Sequence, residues 1–450
     1  MPEIIYSGPM RDLQAEINAA LEEGAPALLR ALSPLGRRAC FPPDIPAQSA
    51  QARGKEINGT IGQITDGRGG AIPLPPLAQA LAGLSAPDRN QALLYSPIEG
   101  MPEVRRLWRQ WQRRHLSDDK SDDKLPSTLP LVTIGLTHAL SILADLFGGE
   151  GKALALPRPF WGNYRQTFAA RTGAVVKSAP AYVDGRYNVH AVAEALDGLP
   201  DGEPAVTILN LPSNPGGYSL TLEERGQVIA SLRGVAERRP LVVICDDAYA
   251  GLVFEPDVPR TSLFWELIGQ HPNLVPVKID GATKEFSFFG GRVGFITFAA
   301  EQESEVGRAL ESKMKMLVRS VIGSPIATSQ VLLLQALRPQ GDQPGIETEI
   351  ESIRRLLEER YHALKKALAA TDPRLLTVLP FNSGCFALVE LPEALGLTSE
   401  QVRRHLLDHY DTGLISIEPR YLRIAHCSVD AAALPELVRR LEKGIAELAG

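Results

Sequence analysis

Cysteine is scarce in this chain. Cys40, Cys245, Cys385 and Cys427 are the four among 450 residues, and no two form a CxxC pair. This pattern excludes a disulfide framework and a clustered zinc site, and it reads as free thiols in a reducing compartment, with no metal. A charge excess is also missing. Lys and Arg number 47 against 53 Asp and Glu, a net charge of −6, which weighs against nucleic acid or an acidic membrane as partner. No apolar run approaches the roughly 18 residues of a membrane span. No basic stretch followed by an apolar run opens the chain, so no signal peptide is expected and a cytoplasmic location is. There is no internal repeat. What remains is ordinary globular composition, 44% hydrophobic and 22% charged, with length for a large core and two domains.

Apolar periodicity gives the organisation. Residues 10 to 33 read as helical with breaks near Pro26 and Pro34, and residues 36 to 80, rich in Gly and Pro, as mostly extended or loop. A helix is expected over 102–115, starting at Pro102, with Val104, Leu107, Trp108 and Trp111 on one side. The polar run Ser117–Lys124 reads as a solvated loop. From 131 onward seven short apolar runs (131–134, 153–156, 175–177, 205–209, 241–245, 274–279, 293–298) alternate with helices near 137–147, 161–172, 188–196, 222–237 and 301–317. The alternation predicts an α/β fold whose mostly parallel seven-stranded sheet is covered by helices on both faces. A long helix at about 325–370 and a strand, strand, helix, strand, helix ending suit a smaller α+β domain. The expected division is an N-terminal segment 1–60 packing with the small domain, a large domain 61–330 and a small domain 331–450.

Ligands of such sheets sit at the carboxyl ends of the strands. Polar groups gather there in this sequence. Lys284 lies between two apolar runs, eight residues before Arg292, with Gly290 and Gly291 in the turn. Burial lowers a lysine's pKa and frees its amine for attack on a carbonyl, and an arginine's planar fork clamps phosphate. A Schiff base with an aldehyde cofactor such as pyridoxal phosphate requires both. Gly135-Leu136-Thr137-His138 opens a helix and suits a phosphate, or serves as an ordinary N-cap. Trp161, held behind two prolines, can stack on a planar ring or fill the core. Asn214, in a turn fixed by Pro215 and two glycines, can face a ligand hydroxyl or be structural. Asp246 closes an apolar strand, where a buried carboxylate needs a cation such as a protonated pyridine nitrogen, or caps the next helix. Tyr249 can donate to a phenolate oxygen, and Asp247 alternates to the other side and reads as structural.

In these residues the chain resembles the class I/II aminotransferases, pyridoxal-phosphate enzymes of fold type I, nearest the aspartate and aromatic aminotransferase group. The likeness runs from about Asn58 to Arg423. It implies that Lys284 carries the Schiff base, Arg292 binds phosphate, Trp161 stacks on the ring, Asn214 and Tyr249 face its phenolic oxygen, and Asp246 holds its nitrogen. Leu136 and Thr137 fall in the phosphate turn. Tyr95, in Tyr-Ser-Pro-Ile-Glu-Gly, is similar to a tyrosine that reaches the phosphate of a partner subunit, which implies a homodimer. Arg423 sits where the family binds the substrate α-carboxylate, Gly62 near it, and Arg319 where an arginine crosses to grip a distal carboxylate, or else makes a surface salt bridge. Gly281 stands where the family often has serine, so one phosphate hydroxyl is missing, and Leu136 and His138 stand in the phosphate turn where small residues are common, so the backbone carries more of the binding.

The implied activity is transfer of an amino group from an L-amino acid to a 2-oxo acid, by default 2-oxoglutarate, in a ping-pong cycle. The alternative on the same fold is a β-lyase or decarboxylase. A fusion of this fold to a winged-helix regulator is disfavoured, because the segment before Gly62 is short and not basic. Phe286, Phe288 and Phe289 near the lysine permit an apolar or aromatic substrate, and Arg319 a dicarboxylate.

Overall fold

The computed structural model describes residues 9–41, 44–116, 125–338, 345–417 and 419–450. The polar run Ser117–Lys124 lies outside them. In chain order the strands are β1 (Ile57–Asn58), β2 (Leu131–Ile134), β3 (Ala153–Arg158), β4 (Val175–Pro180), β5 (Tyr182–Val183), β6 (Arg186–Tyr187), β7 (Ala205–Asn210), β8 (Leu241–Asp246), β9 (Leu274–Gly281), β10 (Val293–Phe298), β11 (Thr377–Val378), β12 (Ala387–Glu390), β13 (Thr412–Gly413), β14 (Ile415–Ile417) and β15 (Tyr421–Ile424).

Seven of them form one sheet in the order β2-β10-β9-β8-β7-β3-β4. Neighbours from β9 to β4 are parallel, and β10 is antiparallel to both β9 and β2. Alternate residues of the central strands enter different cores. Val206, Ile208, Val242 and Ile244 pack with the helix Gly135–Phe147, whereas Ala205, Leu209, Val243 and Cys245 pack with the helix Leu222–Ala236 on the opposite face. Burial on both faces is why these strands read as continuous apolar runs rather than alternating ones.

The single reversed strand fixes the site. Because β10 runs back against β9, the link between them turns at the carboxyl end of the parallel strands, through the short helix Ala282–Glu285 and the turn Phe289–Gly291. Lys284 and Arg292 both ride on this link. Val293 then pairs with Ile134, which places Arg292 beside Gly135, the first residue of the helix that follows β2.

A second, antiparallel sheet has the order β11-β12-β15-β14, and the helices Ser399–His409 and Leu434–Ala449 accompany it. Ile57 and Asn58 pair with Thr412 and Gly413, which ties the residues before Gly62 to this part of the molecule.

One expectation changes and two gain detail. The described residues of 36 to 80 are mostly loop, as expected, with short helices over Pro34–Arg38, Ile45–Gln51 and Pro75–Ala82. Each has proline in its first turn, where a missing N–H costs nothing. The long helix expected at 325–370 is two, Ala327–Leu337 and Ile346–Leu368, in keeping with Pro339 and Pro344 between them. The helix expected at 161–172 is present over 163–172, with Arg165–Ala170 wound as a π-helix.

Candidate active site

A cavity of about 350 Å³ opens at the carboxyl end of the sheet, against the second sheet. Gly62, Leu136, Thr137, Trp161, Asn214, Asp246, Tyr249, Lys284, Arg292 and Arg423 all line it. Ten positions marked in the sequence therefore meet around one space.

Lys284 donates from Nζ to the Gly62 carbonyl at 3.0 Å and lies 4.7 Å from the Phe289 ring centroid. Burial first, then the Arg292 and Arg423 cations, hold its ammonium below the ordinary lysine range. The same amine is thus easier to deprotonate than a surface lysine.

Asp246 is buried at the end of β8. The Tyr164 hydroxyl donates to its Oδ2 at 2.7 Å and the Ala248 N–H to its Oδ1 at 3.2 Å. Burial outweighs both bonds and pushes its carboxyl up to about 6. Among the described residues nothing cationic is bonded to it, so a cation entering the cavity would find a carboxylate ready to pair. Asp247, next in the chain, points away and is held by Lys278, which also pairs with Asp280 at 3.2 Å. Burial works against the Lys278 charge, but the two carboxylates outweigh it and raise its pKa. This buried triad is structural, as expected for Asp247.

Arg423 projects from β15. It donates to Asn214 Oδ1 at 3.1 Å and to the Thr60 carbonyl at 2.9 Å, over the Phe386 ring at 4.4 Å. Its Nε is buried with no hydrogen-bond partner among the described residues. An orphaned guanidinium N–H in a cavity is a vacancy for an acceptor such as a carboxylate.

At the other end Arg292 lies so close to Gly135 that a Cβ there would stand 2.3 Å from its Nη2. Gly135 has φ +68°, a region open to glycine, and its helix points its first N–H groups at the same place. The buried Thr283 Oγ1 has no partner among the described residues. Together these offer donors suited to an anion such as phosphate. Gly281 cannot be the serine it replaces: a Cβ would stand 2.5 Å from the Val293 carbonyl and 2.8 Å from Leu136. His138 is a helix residue, its Nδ1 accepting the Ile134 N–H at 3.1 Å. The donor set fits pyridoxal phosphate: a lysine for the aldehyde, a carboxylate for the ring nitrogen, the donors around Arg292 for the phosphate.

Tyr95 and Arg319 do not line the cavity, and both are exposed, Tyr95 at 97%. Of the three phenylalanines near the lysine, Phe289 faces it, but Phe286 is fully buried against Trp108 and Trp111 and does not line this cavity. Sequence reasoning missed Thr60, Tyr164 and Phe386. Tyr164 lies three residues after Trp161 and was given no role. Thr60 and Phe386 come from other parts of the chain and carried no local signal.

The family model for aminotransferase class I and II matches residues 55–441. An aspartate aminotransferase of a Bacillus species is 23% identical over 297 residues, 66% of this chain and 67% of that protein. A 2-aminoadipate transaminase of Thermus thermophilus is 26% identical over 395 residues, 84% of this chain and 89% of that one. Among solved structures, an alpha-aminoadipate aminotransferase of Thermus thermophilus, complexed with N-(5'-phosphopyridoxyl)-L-leucine, aligns with TM-score 0.73 at 23% identity, covering 93% of this chain and 98% of that one. That likeness concerns the fold. Among the described residues no helix is long and apolar enough to cross a membrane. On the family match, the chain belongs to the class I and II aminotransferases, pyridoxal-phosphate enzymes of fold type I.

Proposed function

We propose that the protein transfers an amino group from an L-amino acid to a 2-oxo acid, with 2-oxoglutarate as the default acceptor, in two half-reactions at the one cavity. The observation that carries this reading is the convergence of Lys284, Asp246, Arg292 and Arg423 there. Lys284 would bond the cofactor's aldehyde, with Asp246 on the ring nitrogen and Asn214 and Tyr249 on the phenolic oxygen. Trp161 would lie on the ring, and Arg292 with the Leu136–Thr137 turn on the phosphate. When bound, pyridoxal phosphate supplies an electron sink for the pair left at the substrate Cα and carries nitrogen between the two substrates.

The chain's own residues do the rest. Arg423, with its unpaired Nε, pairs with the α-carboxylate, and Gly62 lies alongside. Two-point binding at a planar guanidinium fixes the Cα–H direction. Lys284 Nζ then takes the proton from Cα, and in the second half-reaction gives one back to the acceptor's Cα. Its depressed pKa makes the free amine more available for both duties than a surface lysine's would be. Asp246 keeps a proton on the group it faces, because a buried carboxylate is stabilised by an adjacent cation.

The remaining roles belong to the same reading. Tyr95 and Arg319 act across a homodimer, supported by the exposure of Leu93, Leu94, Met316 and Val321 near them in the chain. The division at residues 60 and 330 is supported by the separate antiparallel sheet and by the β1–β13 pairing. A cytoplasmic setting is supported by the four free cysteines. The test is Lys284→Ala, expected to abolish turnover and the visible absorbance of bound cofactor; unchanged turnover refutes the proposal. Product analysis separates the alternatives, since an oxo acid formed in step with glutamate supports transfer, and pyruvate with a thiol supports a β-lyase.

A further inference from the structure

We infer that the preferred amino acid carries a long side chain ending in an anion, and that Arg158 and Arg165 hold that end; this rests on the aminotransferase reading. A second cavity, of about 990 Å³, adjoins the first and shares Ile45, Thr137, Trp161 and Asn214 with it. The two spaces thus lie side by side, with Trp161 in the wall of both. The larger one is far more room than a short amino acid fills.

Its wall carries two arginines without an acidic partner. Neither Arg158 nor Arg165 has a side-chain hydrogen bond or ion pair among the described residues. Arg165 lies over the Phe160 ring at 5.0 Å, and burial, then the Arg158 charge, lower its pKa. Two neighbouring cations left uncompensated beside aromatic surface form a receptor for a planar anion. Three carboxylates also border the cavity. Glu390 is neutralised by Arg420 at 2.8 Å, Asp184 lies on the exposed turn between β5 and β6, and burial pushes the Asp44 carboxyl above its ordinary range. None of them pairs with Arg158 or Arg165 among the described residues.

The sheet supplies the ruler. Ala155 pairs with Thr207 and Thr207 with Val243, so extending the register sets Arg158 level with Asn210 and Asp246. Two strand spacings separate Arg158 from Asp246, on the order of 10 Å. Arg158 thus lies two strands to the side of the site's carboxylate, in the wall of the second cavity. On β15, Tyr421 and Arg423 share a face, with Tyr421 lining the larger cavity and Arg423 the smaller. A substrate held by its α-carboxylate at Arg423 would therefore run its side chain past Trp161 toward the two arginines.

The test is a substrate series on the cofactor-loaded enzyme: aspartate, glutamate, 2-aminoadipate, 2-aminopimelate and 2-aminosuberate, each beside its neutral 2-aminoalkanoate of matched length. We expect kcat/KM for the longer diacids to exceed that of aspartate and of the matched neutrals by tenfold or more. Arg158→Ala and Arg165→Gln should each lower it about tenfold for the long diacids and leave the neutrals within about twofold, as for loss of one charge-assisted bond. Arg158 is exposed, so its removal spares the fold. No preference for long diacids, or a preference lost in Arg319→Ala but kept in both other variants, overturns this inference alone. Failure to turn over any amino acid overturns the aminotransferase reading and this inference with it.

Discussion

Replacing Asp246 by asparagine should stabilise the cofactor-free protein while it disables the enzyme. The carboxyl is buried and its pKa rises from 3.8 to about 6, because desolvation outweighs the Tyr164 and Ala248 bonds. That rise amounts to about 3 kcal/mol against the ionised form. Between pH 3.8 and about 6 the folded state holds more protons than the unfolded one, so stability falls as pH rises through that window and stays low above it. Asparagine never ionises and escapes the fall, and its Oδ1 can still accept from Tyr164, whose bond to the carboxylate the value of about 6 already includes. The net expectation is that D246N without cofactor gains up to about 3 kcal/mol at pH 8, and that the gain shrinks toward pH 5. Urea unfolding of both cofactor-free proteins at the two pH values measures this. With cofactor, transamination should drop by about 100-fold or more, since nothing then holds the ring proton. A variant that is less stable at pH 8, or equally shifted at both pH values, refutes the reasoning. Stability gained where function is lost is the mark of a residue kept for its chemistry.

Two further substitutions test the scaffold. Lys278→Met leaves Asp247 and Asp280 buried without their cation and should cost about 3–5 kcal/mol in urea unfolding, with part of the loss restored by adding Asp247→Asn. Gly281→Ser should lower stability by about 1–3 kcal/mol with no gain in cofactor affinity by titration, because its Cβ would crowd the Val293 carbonyl and Leu136; tighter cofactor binding would contradict the assignment.

The sheet was legible because each central strand is apolar on both faces, and each of the seven apolar runs became a strand. What the runs could not show was their order, or that β10 alone turns back and so brings Arg292 to Gly135. The short helices before residue 83 escaped notice because proline reads equally as a loop former and as a first-turn residue. In the site, groups directly after strands could be found from spacing alone. Thr60 and Phe386 could not, since they meet Arg423 only through tertiary packing. Phe286 shows the converse error: closeness in sequence to Lys284 does not decide which way a side chain turns, and the Trp108–Trp111 helix draws it into the core.

The covalent claim has a direct test. The enzyme is incubated with pyridoxal phosphate, treated with borohydride to fix any lysine-bound cofactor, digested and read by mass spectrometry. The phosphopyridoxyl mass is expected on Lys284 alone. Its appearance on another lysine, or on none, would contradict the account.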